Sequence, residues 1–478
     1  SNFLDTRMGG WTEGPCVFKR NGIYYMIYTG NHVLSKGYRI NYATNTTGPI
    51  NTYSPADNQN PVLINSLGYH VGLGHGSIFI GPDLDSYYLT YHNLLSRNGP
   101  YRRFNLDRIA WNGEKMIVMG PTLSPQQNPE LPDAYDFFER ELPGNQWILP
   151  LGGKWSIKES GILTQDTTIV DEENWYLAIL DSIYEQNYTA EFNVKEIRRE
   201  NEESQTGVVF NYSDEQNYGI VVLNDHKNNL EIQFKKDNVW GTKNSVDFPV
   251  ELDMAKWHTL RIESFNSLVK IFLDGMLMKT LTSPELVEGK IGYVTNNSHA
   301  DFGFIAFSND VNGSGTFNTY KPVPGKIPAV QYNKGGEGIG YHEETPTPPS
   351  DDKIRNDHVD ILEFPLGGYA LANVQSGEWF NYNINVEIGK LYNINLNYSA
   401  TGDNNKIRFY SDGNDISGSI HLPAKENGSF MVKDVNLPTG YQTLRIEVIS
   451  GEIDLYSMEI VPADNNPFDK ILSFDGSF

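Results

Sequence analysis

Apolar and polar residues alternate along most of this chain, and the alternation has a period of two. Segments such as GIYYMIYTG, YRINYAT, SYYLTYH, GVVFNYS, LEIQFKK, HTLRIES, VKIFLDG, YNINLNYSA and TLRIEVIS put branched and aromatic side chains on one face and polar ones on the other. Gly, Asn and Asp bound them, as they bound half-buried strands joined by tight turns. No long stretch repeats at 3.6 residues, so the predicted fold is all-β with a few short helical turns.

Within the first ~125 residues the pattern itself recurs. VFKRNGIYYMIYTG at 17–30 and IFIGPDLDSYYLTYH at 78–92 each place a turn ahead of Tyr-Tyr, two further residues and another Tyr, and Phe18 and Phe79 stand 61 residues apart. A further strand follows each, YRINYA and then FNLDRIAWNG, which gives the unit the form of a four-stranded propeller blade. The texture then changes. Residues 129–310 carry YTAEFNV, YGIVVLN, KWHTLRIE, GKIGYVT and DFGFIAFSN at the spacing of a two-sheet antiparallel sandwich. A stretch rich in Gly, Pro, Ser and Asn at 311–325 reads as a linker. A second sandwich is expected at 326–462, with 463–478 as a C-terminal tail.

At 478 residues the chain is long enough for several domains, each with its own core. Its 37 basic and 60 acidic residues give a formal charge of -23, which disfavours nucleic acid and anionic membranes as partners. The single cysteine, Cys16, permits no intrachain disulfide and reads as a small core residue. No apolar run reaches the ~18 residues of a membrane helix. Aromatics make up 12% of the chain, including 28 Tyr and 8 Trp, a composition that suits β-surfaces that stack on sugars.

One short stretch raises a chemical question. WTEGP at 11–15 sets Glu13 between Thr and a Gly-Pro turn, immediately ahead of the first repeat. Together with GYRINYATNTTGPI, GLGHGSIFIGPD and RRFNLDRIAWNGEKMIVMGPT, in that order and at blade-sized intervals, it resembles glycoside hydrolase family 43 in its later blades. The resemblance implies a five-bladed propeller, an active site at one end of the central channel and an inverting mechanism. It also implies that Glu13 is the general acid, that His75 lies near the channel centre, and that Arg103 contacts substrate, with Arg102 and Arg108 competing for that role. Trp11 would line the same site. An inverting glycosidase needs one protonated carboxyl to expel the leaving group and one ionised carboxylate to activate water. In the family the base and a modulating aspartate come from blades that precede the acid. Residues 1–128 are therefore expected to form the last blades of such a propeller, with both aspartates upstream or on a separate N-terminal propeller fragment.

The middle sandwich resembles the concanavalin-like domain that follows such propellers, through KWHTLRIE, VKIFLDG and DFGFIAFSN. The terminal sandwich resembles carbohydrate-binding module family 6, through GYHEETP, RNDHVDI, GGYALANVQSGEWFNYNINV and NLPTGYQTLRIEV. On that resemblance two calcium-ligating glutamates fall at Pro328 and Val330 and an aspartate at Tyr456, so this metal site is expected to be lost. The stacking aromatics of the loop-end cleft fall at Asn373 and Phe430, and Trp379 matches the tryptophan of a second, concave-face cleft.

The expected function is that of an extracytoplasmic, periplasmic or secreted bacterial glycoside hydrolase acting on side chains of oligo- or polysaccharides. The resemblance favours α-L-arabinofuranosidase or β-xylosidase activity, then exo-β-galactosidase. A non-catalytic glycan-binding protein with a remnant propeller is the alternative. No cofactor is expected beyond a cation or water near His75, and neither nucleic acid nor membrane insertion.

Overall fold

The computed structural model describes residues 12–463 apart from 36, 57–58, 65–69, 97–99, 142, 159–160, 168–174, 182–185, 267, 283, 285, 287, 349–353 and 365–366. Among the described residues the protein is all-β, and no α-helix is present. It divides into two compact units, one of residues 1–81, 86–129 and 312–478, the other of residues 82–85 and 130–311.

The first unit opens with two antiparallel sheets whose strands follow one another in chain order. One contains β1 (Thr12–Arg20), β2 (Ile23–Gly30), β3 (Arg39–Asn45) and β4 (Ser54–Pro55), with β5 (Leu63–Ile64) also on β3. The other contains β6 (Gly74–Ile80), β7 (Tyr87–Leu94), β8 (Arg102–Asn112) and β9 (Lys115–Met119). This is the up-and-down meander of propeller blades. Asn21 and Gly22, both at positive φ (50° and 83°), close the β1–β2 hairpin in the way that a tight primed turn demands. In β2 the alternation buries Ile23, Tyr25 and Ile27 on one face.

That face meets its counterpart from the second sheet in one core of Tyr25, Ile27, Ile40, Tyr42, Leu89, Tyr91, Ile109 and Trp111. Trp111 is the hub. Tyr25 and Tyr87 meet it edge-on with ring centroids at 5.2 and 5.3 Å, and the Arg20 guanidinium lies 4.3 Å from its ring. Truncating a ring so enclosed costs about 3–5 kcal/mol.

In the same unit lies the terminal module, two sheets facing each other over a core that includes Tyr332, Tyr382, Tyr392 and Tyr398. One sheet runs Lys321–Val323, Trp379–Val386, Gly440–Ser450, Asn405–Ser411; the other runs Ile361–Glu363, Tyr369–Gln375, Glu452–Pro462, Lys390–Ala400, Lys425–Leu437.

The stretch expected to be a linker is folded into this unit. Ser314–Thr316 makes a buried 3-10 turn, Phe317 joins the module core, and Lys321–Val323 pairs in parallel with Trp379–Val386. Its glycine is there for space as well as flexibility: a Cβ on Gly313, at φ 85°, would lie 3.1 Å from the Trp111 Cβ. Gln331 Nε2 donates to the Trp111 carbonyl at 2.8 Å, and Asn112 exchanges two hydrogen bonds with the Tyr369 backbone. Composition alone suggested a tether, whereas the turns are tight and buried.

The second unit is an antiparallel sandwich. One sheet runs Trp155–Lys158, Ile162–Gln165, Ser298–Ser308, Tyr188–Arg199, His258–Phe265, Leu268–Leu273, Met276–Thr282. The other runs Trp147–Ile148, Trp175–Leu180, Lys290–Asn296, Gln205–Asp214, Asn217–Asn224, Asn229–Lys236, Val239–Trp240. Their inner faces share a core in which Tyr293 and Phe302 stack at 4.2 Å. The His258 of KWHTLRIE is an element of this architecture: its Nδ1 lies 2.8 Å from an Asp274 carboxylate oxygen and its Nε2 lies 3.0 Å from the Asp253 carbonyl.

Candidate active site

The two blade sheets begin alike, and the likeness creates the site. Both β1 and β6 carry a bulge in their first turn of pairing, between Glu13 and Cys16 and between Gly74 and Ser77. Gly14 and His75, 61 residues apart, share a left-handed backbone at φ 58° and 53°. The same offset relates Cys16 to Ser77, whose Sγ and Oγ lie 3.7 Å apart. For glycine this conformation is free, but for His75 it costs about 1 kcal/mol or more, a strain that the surrounding fold must hold. Thr29 Oγ1 helps by accepting from the His75 backbone N–H at 2.7 Å. A Cβ on Gly14 would stand 3.1 Å from His75 Cγ, so the imidazole lies directly against the residue next to Glu13.

Glu13 is half-buried and paired in register with Thr29. Its Oε1 accepts a 2.6 Å hydrogen bond from the hydroxyl of Tyr38, a fully buried residue just ahead of β3. Burial, followed by the Glu13 hydrogen bond, pushes the Tyr38 phenol well above its ordinary range, so it remains a donor. The Tyr38 ring lies 6.0 Å from that of His92, at the end of β7. Desolvation, aided by the charges of Arg102 and His75, lowers His92 to about 4, so this imidazole is neutral at neutral pH. Its Nε2 finds no partner among the described residues.

The expected site residues distribute as follows. Glu13 and His75 come together, and His75 is exposed. Arg103 points elsewhere: its Nε reaches Asn93 Oδ1 at 3.4 Å, and its charge bears on Tyr91 and His70. Side chains one residue apart on a strand face opposite ways. Arg102 is accordingly the arginine whose charge is felt by Tyr38 and His92. Arg108 is buried, donating to the Gln127 and Asn128 carbonyls. Trp11 lies outside the described residues. Tyr38, Thr29 and His92 were not anticipated, although both strands that present the aromatic groups, GYRINYA and SYYLTYH, carry the blade repeat. Among the described residues, no further carboxylate joins the groups around Glu13, and no cluster of three or more His, Cys, Asp or Glu gathers to hold a metal ion.

On the same blade Asp107 is fully buried, accepting from the hydroxyls of Tyr91 and Thr122, each at 2.5 Å. Desolvation outweighs those donors and raises its carboxyl to about 7. The loop that carries Thr122 is held from the terminal module: Glu387 accepts from the Leu123 and Ser124 backbone N–H groups and from Ser124 Oγ.

In the terminal module, Trp379 is half-buried on its sheet, with the Arg445 guanidinium 3.7 Å from the ring. One face of the indole is thereby occupied. Phe430 is half-buried against the module core. The positions that the resemblance assigns to calcium hold packing residues: Pro328 lies in a strand, Val330 in the core, and Tyr456 stacks on Phe364 at 4.1 Å.

Known proteins are similar to parts of this chain. A curated relative, β-D-galactofuranosidase xynD of Aspergillus niger, is 31% identical over 117 residues, covering 23% of this chain and 32% of the relative. The chain thus spans about a third of the length of that relative. Among solved structures, a mutant of the GH43 protein BlXynB of Bacillus licheniformis is 19% identical, covering 62% of this chain and 65% of its own, at a TM-score of 0.30. The carbohydrate-binding module CBM66 of Bacillus subtilis is 16% identical, covering 34% and 95%, also at 0.30. Residues 3–117 match the family model described as Glycosyl hydrolases family 43, and the module whose motifs resemble family 6 matches, at 355–460, the one described as Carbohydrate binding module (family 35). Residues 3–117 are therefore similar to glycosyl hydrolases of family 43 and residues 355–460 to a carbohydrate-binding module.

Proposed function

We propose that this protein takes part in hydrolysing O-glycosidic bonds of polysaccharide side chains by an inverting mechanism, with Glu13 as the general acid. The observation that carries the reading is the Glu13 carboxyl, held through Oε1 by Tyr38 beside His75, inside the stretch matched by the family 43 model. With Oε1 engaged, Oε2 is the oxygen left to carry a proton. That proton passes to the glycosidic oxygen as its bond to the anomeric carbon breaks, while a base-activated water attacks the opposite face of the sugar and the base takes its proton. Tyr38 then stabilises the carboxylate that remains, and Arg102 supplies positive charge near the departing group. Neutral His92 offers hydrogen bonding without adding charge. The base and the modulating aspartate are assigned outside the described residues, on further sequence or on a separate propeller fragment.

Substrates are proposed to be α-L-arabinofuranosides or β-xylosides, with exo-β-galactosidase action ranked behind them; the name of the Aspergillus relative adds β-D-galactofuranosides. An extracytoplasmic location is proposed with this substrate class, and no helix among the described residues is long and apolar enough to cross a membrane. The test is hydrolysis of the four corresponding aryl glycosides by the full-length protein, with NMR of the first-formed anomer. Release of inverted sugar from one of them supports the proposal. A retained anomer, or no turnover of any, contradicts it. Half-buried Trp379, on a face rich in amides, favours glycan binding without catalysis as the second reading, which the same assay separates through binding without turnover.

A further inference from the structure

A cleft lies within the first unit, between the segment that follows β9 and the terminal module. Arg108, Gln126 and Gln127 line it from one side, and Tyr320, Asn385 and Tyr441 from the other. The space between its walls is about 370 Å³, open solvent included. Neither part of the unit makes it alone.

Its chemistry is specific. Tyr441 is 60% exposed, and its ring lies 4.5 Å from that of Tyr320 at 51°, an aromatic corner rather than a packed pair. The amides are fixed but only half used. Gln126 Nε2 donates to Thr122 Oγ1 at 2.7 Å, Gln127 Oε1 accepts from the Tyr320 N–H at 3.3 Å, and Asn385 Nδ2 donates to Ser124 Oγ at 3.3 Å. The opposite end of each amide is left for a ligand. Arg108 is only 3% exposed, and its Nε and Nη1 meet no acceptor among the described residues. A buried cation with unused donors calls for oxygen acceptors nearby. No carboxylate and no lysine line the cleft.

We propose that this cleft is a carbohydrate subsite, in which a neutral sugar residue of a glycan stacks on Tyr441 and exchanges hydrogen bonds with Gln126, Gln127 and Asn385. A neutral polyol matches all of these features at once. Its C–H face suits an aromatic ring, and its hydroxyls serve both ends of an amide. The formal charge of -23 opposes polyanions. Asn385 pairs directly with Tyr441, and Trp379 lies six residues away along the same strand, roughly 20 Å at strand rise. Trp379 and Asn385 thus share one face of the sheet, with the subsite at the far end of that face from Trp379, so one extended chain can reach both.

The test is titration of the full-length protein, by calorimetry, with neutral xylo-, arabino- and galacto-oligosaccharides and with oligogalacturonate. Tyr441→Ala, Asn385→Ala and Trp379→Ala are compared after their melting temperatures have been matched to the parent's. Weakening of a neutral oligosaccharide by about tenfold or more in both Tyr441→Ala and Asn385→Ala is expected. Equal affinity in parent, Tyr441→Ala and Asn385→Ala overturns the proposal, as does loss confined to Trp379→Ala, exclusive binding of oligogalacturonate, or no binding of any probe. Catalysis on aryl glycosides is read separately, so failure here leaves the reading of Glu13 standing.

Discussion

The hydroxyl of Tyr38 donates to Glu13 Oε1 at 2.6 Å, and the space for its ring exists because residue 74 is a glycine. A Cβ at Gly74 would stand 2.3 Å from a Tyr38 ring carbon and 2.7 Å from the Thr29 methyl. Gly74→Ala therefore has to displace Tyr38 from Glu13. A stability loss of about 1–3 kcal/mol is expected, from overpacking, together with loss of activity out of proportion to it. Thermal denaturation and an aryl glycoside assay on the same preparation check both.

Tyr38→Phe keeps the buried ring and removes only the donor. Loss of this hydrogen bond is expected to cost about 1–2 kcal/mol and to lower turnover of an aryl glycoside at a melting temperature near the parent's. Unchanged turnover would separate Tyr38 from the role proposed for Glu13.

His92 gives a prediction that needs no substrate. Its native value of about 4 lies below the ordinary 6.5. Between those values the unfolded chain binds the proton and the native one does not, so stability rises with pH across this window and is lost as pH falls through it. NMR titration is expected to show neutral His92 above pH ~5. Arg102→Gln is expected to move its midpoint upward, since that arginine is the main charge opposing protonation.

Asp107 runs the other way. Its native carboxyl titrates near 7 against an ordinary 3.8, so over that window the native state keeps a proton that the unfolded chain has released. Stability contributed by the protonated form is present below the unfolded value and declines as pH rises toward 7. Asp107→Asn is expected to flatten the dependence of melting temperature on pH in that window, and Glu387→Gln to lower the native midpoint. A slope unaltered in Asp107→Asn would assign it to other groups.

The strands of this protein were legible because alternation records which face is buried, and the repeat from Phe18 to Phe79 was legible because the two blade sheets use the same turn and aromatic pattern. The carboxylate at Glu13 came from the motif that surrounds it. What the sequence concealed was set by contacts between the repeats. Tyr38 and His92 meet only once the two sheets stack, and the choice of Arg102 over Arg103 turns on strand parity, which shows only in the paired sheet. The 311–325 stretch misled for a related reason: glycine, proline and asparagine make tethers and buried tight turns alike, and only the packing of Gly313 on Trp111 and of Phe317 in the module core distinguishes them.

The central claim is that Glu13 donates the proton to the leaving group. It is tested most directly by comparing Glu13→Gln with the parent protein on two aryl glycosides of the same sugar, one with a leaving group acidic enough to depart unaided and one without. Glutamine preserves the acceptor for Tyr38, so the melting temperature should hold. Turnover of the poor leaving group should fall by about 100-fold or more, and that of the good one by much less. Equal losses on both substrates, or none on either, would contradict the role assigned to Glu13.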